Sequence, residues 1–306
     1  MSPTDSPSAR RRATLVGLGA IGLWALLAPL GVLTAAVPPF LLTGLAFALG
    51  GGLGLAVQLL RRRPLAAALH VPAAAWALGL GAFFGYHALY FTTLRLLPPV
   101  EALLIINLWP LLIVLFSALL PGERLLPRHV VGALAGLAGT ALIVLGRSGG
   151  DTAVRHPLGY VCAVGCALIW SGYSVANRRV AGDVSTETVT GFCLGTAALA
   201  IVVSLLAETP AWPQGWGWVA LLAMGLGPVG AAFFFWDHGT KRGDLRVLGS
   251  SAYAAPLLGS LLLLALGFGE PSLRLLLAAL LIIGGAALAS GDLWRRKPAS
   301  SRPRGR

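Results

Sequence analysis

The sequence predicts an all-α polytopic membrane protein with ten transmembrane helices, arranged as two inverted repeats of five helices each. Three observations lead to this fold class. The 306 residues are 57% hydrophobic and only 11% charged, whereas soluble proteins carry about 25% charged residues. Apolar runs close to the roughly 20 residues that cross a bilayer recur along the whole chain. The second half of the chain also resembles the first at a constant offset.

The chain begins with a basic tail, residues 1–12, which is rich in Ser, Pro and Arg and is predicted to be disordered. The apolar run from Ala13 to about Thr34 follows a basic stretch, as the core of a secretory signal does. It is too long for a signal, and a later segment matches it, so we assign it as helix 1. The other helices are predicted at 38–60, 72–95, 98–120, 128–146, 157–178, 187–207, 216–238, 247–267 and 273–291, before a basic tail at 295–306.

The Lys and Arg residues predict the orientation of these helices. They lie in short clusters between apolar runs, which is typical of loop anchors and argues against a nucleic-acid-binding face. If both termini are cytoplasmic, 19 of the 23 Lys and Arg residues lie on the cytoplasmic side. Because cytoplasmic loops carry an excess of basic residues, we predict a multi-pass membrane protein with both termini in the cytoplasm.

An internal repeat divides the chain into residues 13–146 and 157–291. Pairs of like residues recur at an offset of 146: Trp24 and Trp170, Arg95 and Lys241, Pro110 and Pro256, Gly139 and Gly285. Glu123 after helix 4 similarly matches Glu270 after helix 9, with one residue inserted. A unit of five helices inverts the next unit relative to the membrane. Inverted repeats of this kind build transporters whose substrate site lies near the midplane between the halves.

The sequence offers little support for an enzyme. It has no His-Glu-x-x-His, no Gly-x-x-x-x-Gly-Lys and no Cys-x-x-Cys motif. Gly249-Ser250-Ser251 with His238 could suggest a membrane serine protease, but the serines lack the usual Gly-x-Ser-x-Gly context. Cys162, Cys166 and Cys193 lie inside apolar runs and indicate neither a disulfide framework nor a metal site. We therefore predict no catalytic residue, no cofactor and no metal.

The candidate substrate site is centred on His87, the only histidine deep in a predicted helix. A lone histidine is more often a packing residue than a ligand, but Tyr86 and Tyr90 share its helix face. Aromatic residues usually collect at the membrane interfaces, so several at mid-membrane depth indicate a lined cavity. Proline-freed carbonyls before Pro110 and Pro256 could add acceptors. The predicted substrate-binding residues are Trp24, Tyr86, His87, Tyr90, Asn107, Trp109, Trp170, Tyr173 and Tyr253.

Acidic and glycine residues leave two questions open. Glu101 and Asp237 are placed at membrane interfaces, although either could couple protons to transport. A bare carboxylate at the centre of the bilayer would cost on the order of 3 kcal/mol, and none is predicted there, which argues against a cationic drug as the main substrate. The glycines of Gly132-x-x-x-Gly136 and Gly284-Gly285 predict close helix packing within a monomer, with a dimer interface as the alternative.

These features resemble the drug/metabolite transporter superfamily of the EamA type. The resemblance rests on the two five-helix units, the central Trp of helices 1 and 6, and the Glu after helices 4 and 9. Within the superfamily, Gly85-Tyr-His-Ala-Leu-Tyr90 and Asn107-Leu-Trp-Pro110 are similar to the bacterial aromatic amino-acid exporters. That similarity implies a basket-like, outward-open shape with a central path lined by Tyr86, His87, Tyr90, Trp109 and Trp170. The second repeat departs from the first, with Phe233 in place of His87 and Ala255 in place of Trp109.

The predicted function is the export of small amphipathic metabolites, above all aromatic or neutral amino acids, by alternating access. The predicted partners are this small-molecule substrate and the lipid bilayer, with no nucleic acid. A related carrier for a nucleoside, a sugar derivative or a drug is the first alternative. The second alternative is a membrane-embedded enzyme or a scaffold. A liposome experiment separates it from the first two functions, because only a carrier would exchange labelled substrate across the membrane.

Overall fold

The computed structural model of the chain describes residues 7–64, 66, 71–145, 156–267 and 271–289. All the regular structure in these ranges is helical, which confirms the predicted all-α fold class. The basic tail at 295–306 and Glu270, which we paired with Glu123, lie outside the described residues.

Fourteen α-helices form the ten membrane segments. The first repeat contains α1 (Pro7–Ala25), α2 (Leu27–Leu33), α3 (Pro39–Leu60), α4 (Ala73–Leu96), α5 (Pro99–Ile106), α6 (Trp109–Ser117) and α7 (Pro127–Leu145). The second contains α8 (Pro157–Val180), α9 (Val189–Ala207), α10 (Trp216–Leu226), α11 (Ala232–Arg242), α12 (Leu245–Ala252), α13 (Ala254–Ala265) and α14 (Leu273–Ala289). A 3-10 turn (Thr186–Thr188) precedes α9, and a π-helical turn (Gly227–Ala231) joins α10 to α11.

The lengths of these segments suit a bilayer. Among the described residues, seven helical segments are long and apolar enough to cross a membrane, and Glu101–Ser117 and Leu273–Ala289 are shorter apolar helices. The helix α4, with 24 residues, completes the ten. Four segments are built from two helices in succession: α1–α2, α5–α6, α10–α11 and α12–α13.

Proline residues account for three of the four interruptions. A proline inside a helix lacks the N–H donor, and its ring clashes with the carbonyl four residues earlier. The helices α1, α5 and α12 each end four residues before a proline, namely Pro29, Pro110 and Pro256. The breaks before Pro110 and Pro256 are related by the repeat. Pro228 lies in the π-helical turn, while the matching helix α4 has Ala82 at that position and runs without interruption.

The prediction of a disordered tail up to residue 12 is wrong for residues 7–12. The first helix begins at Pro7, where proline suits the first turn of a helix. Arg10 lies within it and forms ion pairs with Glu123 at 2.7 Å and Asp244 at 3.0 Å. Because these partners are 113 and 234 residues away along the chain, the local composition of the tail gave no indication of them.

Helix packing follows the repeat. The helix α1 packs against α11 and α4 packs against α8, and these two pairings are equivalent under the 146-residue offset. The helices α3 and α9 are equivalents that pack against each other, and so are α7 and α14. A two-fold relation between the repeats places such equivalent helices together. The bundle therefore has the two related halves that the sequence predicted.

Glycines bring α7 and α14 into close contact within one chain. A Cβ atom added to Gly132 would lie 2.5 Å from the carbonyl oxygen of Gly285, and one added to Gly139 would lie 2.8 Å from that of Ala278. Gly136 faces the ring of Tyr253. These three small residues are thus used inside the monomer, as the packing interpretation of the glycine motif predicted.

Two adjacent glycines in α14 allow a matched test of this contact. A Cβ at Gly285 would clash with the Gly132 carbonyl, whereas a Cβ at Gly284 would meet no atom within 4 Å. We expect Gly285→Ala to destabilise the protein by about 1–3 kcal/mol, as overpacking does. Gly284→Ala should be neutral or slightly stabilising, because Ala favours helix by about 1 kcal/mol over Gly. Thermal unfolding in detergent measures both, and equal midpoints for the two variants would contradict the packing described.

Candidate functional site

A continuous cluster of aromatic side chains joins the two repeats. It draws on α1, α3, α4 and α6 of the first repeat and on α8 and α11 of the second. Neighbouring rings lie 4.6–6.2 Å apart, measured between centroids, and most meet edge-on or tilted, which is the arrangement that aromatic pairs prefer. This aromatic cluster consists of Trp24, Phe47, Phe83, Tyr86, His87, Trp109, Trp170, Tyr173, Phe233 and Trp236.

Trp24 connects the members of the cluster. Its ring centroid lies between 5.0 and 6.2 Å from four others, those of Trp109, Trp170, Phe233 and Trp236. Its indole N–H donates a hydrogen bond of 3.1 Å to the carbonyl of Pro228, within the π-helical turn of the other repeat. A turn of this kind leaves backbone carbonyls without their regular helical partner. Trp24 satisfies one of them and so ties the first repeat to the second.

His87 presents a defined hydrogen-bonding edge to the cluster. Its Nδ1 lies 2.7 Å from the carbonyl oxygen of Phe83. Because a carbonyl only accepts, Nδ1 carries the proton, and Nε2 of the neutral imidazole is left as an acceptor. The ring stands edge-on to Phe47 at 5.0 Å and contacts Tyr86 at 5.4 Å. His87 is half-buried, so this acceptor borders the cluster and is not enclosed by it.

Tyr86 and Tyr90 extend the same helix face. Their rings stack at 6.0 Å with an interplanar angle of 21°, and Tyr86 also contacts Trp170 at 5.7 Å. Both tyrosines are half-buried. Together with His87 they form a wall that combines flat apolar surface with polar atoms at its edge.

Asn107 lies in the break between α5 and α6, two residues before Trp109. Its side-chain N–H₂ donates to the carbonyl of Leu103 at 2.7 Å, which uses one of its two hydrogens and leaves the amide oxygen to accept. The residue is half-buried. Asn107 therefore brings a neutral amide to the point where the broken helix meets the aromatic cluster.

The structure brings most of the predicted binding residues together. Six predicted residues belong to the aromatic cluster: Trp24, Tyr86, His87, Trp109, Trp170 and Tyr173. Tyr90 stacks on the ring of Tyr86, and Asn107 lies two residues before Trp109. Tyr173 is 2% exposed and lies between Phe83 and Trp170. Its ring packs against both of these rings and so supports the aromatic cluster.

Tyr253 is the exception, since it lies in a separate cluster beside α7 and α13. It is fully buried, its hydroxyl accepts a 3.2 Å hydrogen bond from the backbone N–H of Leu111, and its ring fills the space over Gly136. At the break between α12 and α13, the side chain of Tyr253 therefore packs between helices. The structure therefore does not place this predicted binding residue with the others.

Sequence reasoning overlooked Phe47, Phe83, Phe233 and Trp236 as members of the site. Phe233 and Trp236 stand at the repeat positions of His87 and Tyr90, so the 146-residue offset could have identified them. Trp236 is fully buried and donates from its indole N–H to the hydroxyl of Ser174 at 3.1 Å. The first repeat thus supplies the polar edge of the site and the second supplies an apolar wall.

Asp237, predicted at the membrane interface, lies near the end of α11 and is fully buried within the protein. It pairs with Lys241 at 3.0 Å and accepts hydrogen bonds from Asn177 at 2.8 Å and Thr186 at 2.7 Å. The partners belong to α8, α11 and the 3-10 turn. Their bonds to Asp237 hold these three elements together next to Trp236. Glu101 is half-buried and accepts a hydrogen bond from the Tyr160 hydroxyl of α8.

An apolar groove of about 400 Å³ lies between α4 and α8, and Tyr173 of the aromatic cluster is one of its lining residues. It is formed by small or aliphatic residues, among them Ala77, Gly81, Gly172 and Ala176. No charged side chain lines it. The groove offers little to the polar ends of an amphipathic metabolite, whereas the aromatic cluster offers both ring surface and hydrogen-bonding groups.

Comparison with known proteins agrees with the two-repeat architecture. The model of the EamA-like transporter family matches residues 11–145 and again residues 157–291. The chain is 54% identical to the aromatic amino acid exporter YddG of Ancylobacter novellus, over 92% of this chain and 98% of that protein. It is 26% identical to the aromatic amino acid exporter YddG of Escherichia coli, over 91% of this chain and 97% of that protein.

The fold also matches a solved crystal structure closely. The two chains superpose with a TM-score of 0.88 at 52% sequence identity, and the match covers 94% of this chain and 100% of the other.

Proposed function

The chain belongs to the EamA-like transporter family, and we propose that it exports aromatic and other neutral amino acids from the bacterial cytoplasm. The observation that carries this proposal is the aromatic cluster between the two repeats, with His87 and Asn107 at its edge. The similarity to the two YddG exporters supports the same substrate class.

The chemistry of the cluster suits an aromatic zwitterion. Its rings would contact the side chain of the substrate, and each aromatic pair contributes roughly 0.5–1.5 kcal/mol beyond burial. The ammonium group of the substrate would donate to Nε2 of His87, and its carboxylate would accept from the Asn107 amide or a tyrosine hydroxyl. No residue of the cluster carries a fixed charge, so a substrate with balanced charges is favoured over a net ion.

The same geometry gives the substrate one orientation. The half-buried polar groups, those of Tyr86, His87 and Asn107, come from α4 and the α5–α6 break of the first repeat. In the second repeat Phe233 is apolar, and the indole N–H of Trp236 is already bonded to Ser174. An aromatic amino acid would therefore point its ring toward the second repeat and its backbone atoms toward the first. A few fixed polar groups in an otherwise apolar site are the usual source of ligand orientation.

The proposed direction of transport rests on charge and burial. We define the basic face as the end of the bundle that holds Arg10, Arg61–Arg63, Arg178 and Lys241, and we propose that it faces the cytoplasm. Toward this face, Trp236 and Asp237 are buried, whereas Tyr86, His87 and Tyr90 on the equivalent helix α4 are half-buried. We propose that the site opens away from the cytoplasm here and loads substrate from the cytoplasm after the basic face opens.

Counterflow in proteoliposomes tests this function. Vesicles preloaded with unlabelled phenylalanine should accumulate external labelled phenylalanine transiently, because a carrier exchanges the two pools, while protein-free vesicles should not. We expect tryptophan, tyrosine and other neutral amino acids to compete, and arginine, glutamate and uridine to compete weakly. Exchange of uridine without exchange of any amino acid would support a different metabolite carrier. Absence of exchange for the whole panel would contradict the proposal.

A further inference from the structure

Five charged side chains meet at the basic face, away from the aromatic cluster. They come from α1 (Arg10), the turn after α6 (Glu123), α8 (Arg178) and the start of α12 (Asp244 and Arg246). We call them the charge cluster. In the sequence Glu123 marks the repeat, and none of the five belongs to the proposed transport site.

Glu123 is the centre of the charge cluster. Its Oε1 lies 2.7 Å from the guanidinium of Arg10 and 3.1 Å from that of Arg178, and its Oε2 lies 3.2 Å from that of Arg246. Its side chain is only 10% exposed. One carboxylate thus holds three guanidinium groups, and hydrogen bonds between charged groups are shorter and stronger than neutral ones.

Asp244 supplies the second carboxylate. It pairs with Arg10 at 3.0 Å and with Arg246 at 2.9 Å, and its Oδ1 caps the first turn of α12. Burial alone would raise the pKa of Asp244, but hydrogen bonding to Arg246 and the charges of Arg10 and Arg246 outweigh burial and lower the pKa to about 2. The carboxylate therefore stays ionised, and its ion pairs stay formed, at every pH that a cytoplasm reaches.

The charge cluster joins helix ends from both repeats. Arg178 donates to the carbonyls of Thr240 and Gly243 at 2.8 and 2.5 Å, and Arg246 donates to the carbonyl of Arg124 at 2.6 Å. These bonds connect α8 to the loop after α11, and α12 to the turn after α6. The ends of these helices cannot separate at the basic face unless the bonds break.

Four of the five residues have neither a carboxylate nor a guanidinium at the repeat-related position, while Glu270, the repeat partner of Glu123, lies outside the described residues. The 146-residue offset pairs Arg10 with His156, Arg178 with Val32, Asp244 with Pro98, and Arg246 with Val100. Two inverted halves without such a difference would open to either side with similar ease. On the opposite face the described residues form a looser pair, Arg95 with Glu208 at 3.9 Å. The tighter set at the basic face therefore biases the protein toward the state in which that face is closed.

We infer that the charge cluster is the lock that keeps the basic face closed, and that Glu123 is its central residue. The inference deepens the proposed function, since export requires this face to open and load substrate. These ion pairs form only while the face is closed, and removing one partner leaves the other charges unpaired in that state, which penalises it. What they determine here is which of two packed states is populated, and breaking them admits the substrate.

Distance measurements between spin labels test the lock without any substrate. Arg124 and Arg179 are exposed on the basic face, on elements that the charge cluster joins. Labels at Arg124→Cys and Arg179→Cys, in a background in which the three buried cysteines are replaced by serine, should give one short distance in lipid nanodiscs. With Glu123→Gln, the ratio of a longer to the short distance should rise at least tenfold, which corresponds to about 1.4 kcal/mol.

Two further variants make the result decisive. Glu187→Gln removes a carboxylate that makes only a loose 3.9 Å pair with Arg63, and it should leave the distance distribution unchanged. Asp244→Asn retains a side chain that caps helices well but removes the charge, so it should open the face as Glu123→Gln does. It decides the matter if Glu123→Gln fails to fold. A folded Glu123→Gln or Asp244→Asn variant with the distances of the parent would overturn the inference.

The same measurement separates this inference from the proposed function. A protein that transports no amino acid but opens on Glu123→Gln would contradict the proposed substrate and leave the lock standing. A protein that exchanges phenylalanine but whose folded Glu123→Gln variant stays closed would contradict the lock alone.

Discussion

His87→Ala is expected to weaken the affinity for phenylalanine roughly 10- to 150-fold while the protein folds normally. The variant removes Nε2, the acceptor that the Nδ1 bond to Phe83 leaves facing the site. A hydrogen bond to a charged group such as the substrate ammonium contributes about 1.5–3 kcal/mol, and each 1.4 kcal/mol is about tenfold in affinity. Equilibrium binding of labelled phenylalanine to purified protein measures the loss.

Thr92→Ala is the matched control for this variant. Thr92 lies on the same helix and also bonds to the carbonyl four residues earlier, from its hydroxyl to Ala88 at 2.8 Å. Both substitutions therefore remove one local hydrogen bond of a side chain, but Thr92 is not a member of the aromatic cluster. Its affinity for phenylalanine should match that of the parent. If His87→Ala binds phenylalanine as tightly as Thr92→Ala does, His87 is a packing residue and the site lies elsewhere.

The features that the sequence predicted well are those encoded locally or by the repeat. Freed carbonyls are expected before Pro110 and Pro256, and α5 and α12 end four residues before these prolines, although each segment is predicted as one helix. The 146-residue offset anticipates the pairing of the helices. The side chains of Tyr86, His87 and Tyr90 share a face because helical periodicity dictates it, and the structure gathers them with Trp24 and Trp170.

The features that the sequence could not predict depend on contacts between distant residues. Arg10 looked like part of a disordered tail because its partners, Glu123 and Asp244, are brought to it only by the folded bundle. The sequence likewise does not reveal that Lys241 and Asn177 bind Asp237 inside the protein. In each case the sequence shows the charged residue, but it does not show the ion pairs and the burial that the fold gives this residue.

Tyr253 shows a further limit of reasoning from residue type. Its position in a break and its repeat relation to Asn107 are compatible with a role at the substrate site. The small neighbour Gly136 and the free N–H of Leu111 draw the side chain into packing between helices instead. Which way a side chain turns at a helix break depends on what the neighbouring helices leave open.

The central claim is that substrate binds at the aromatic cluster between the repeats, and photolabelling tests it most directly. A phenylalanine analogue with a diazirine on its ring would be irradiated with the purified protein, and labelled peptides would be mapped by mass spectrometry. We expect label on residues 83–91 or around Trp109, Trp170 and Phe233, and we expect excess phenylalanine to prevent it. Competed label confined to the groove at Ala77 and Ala176, or elsewhere outside the cluster, would contradict the account.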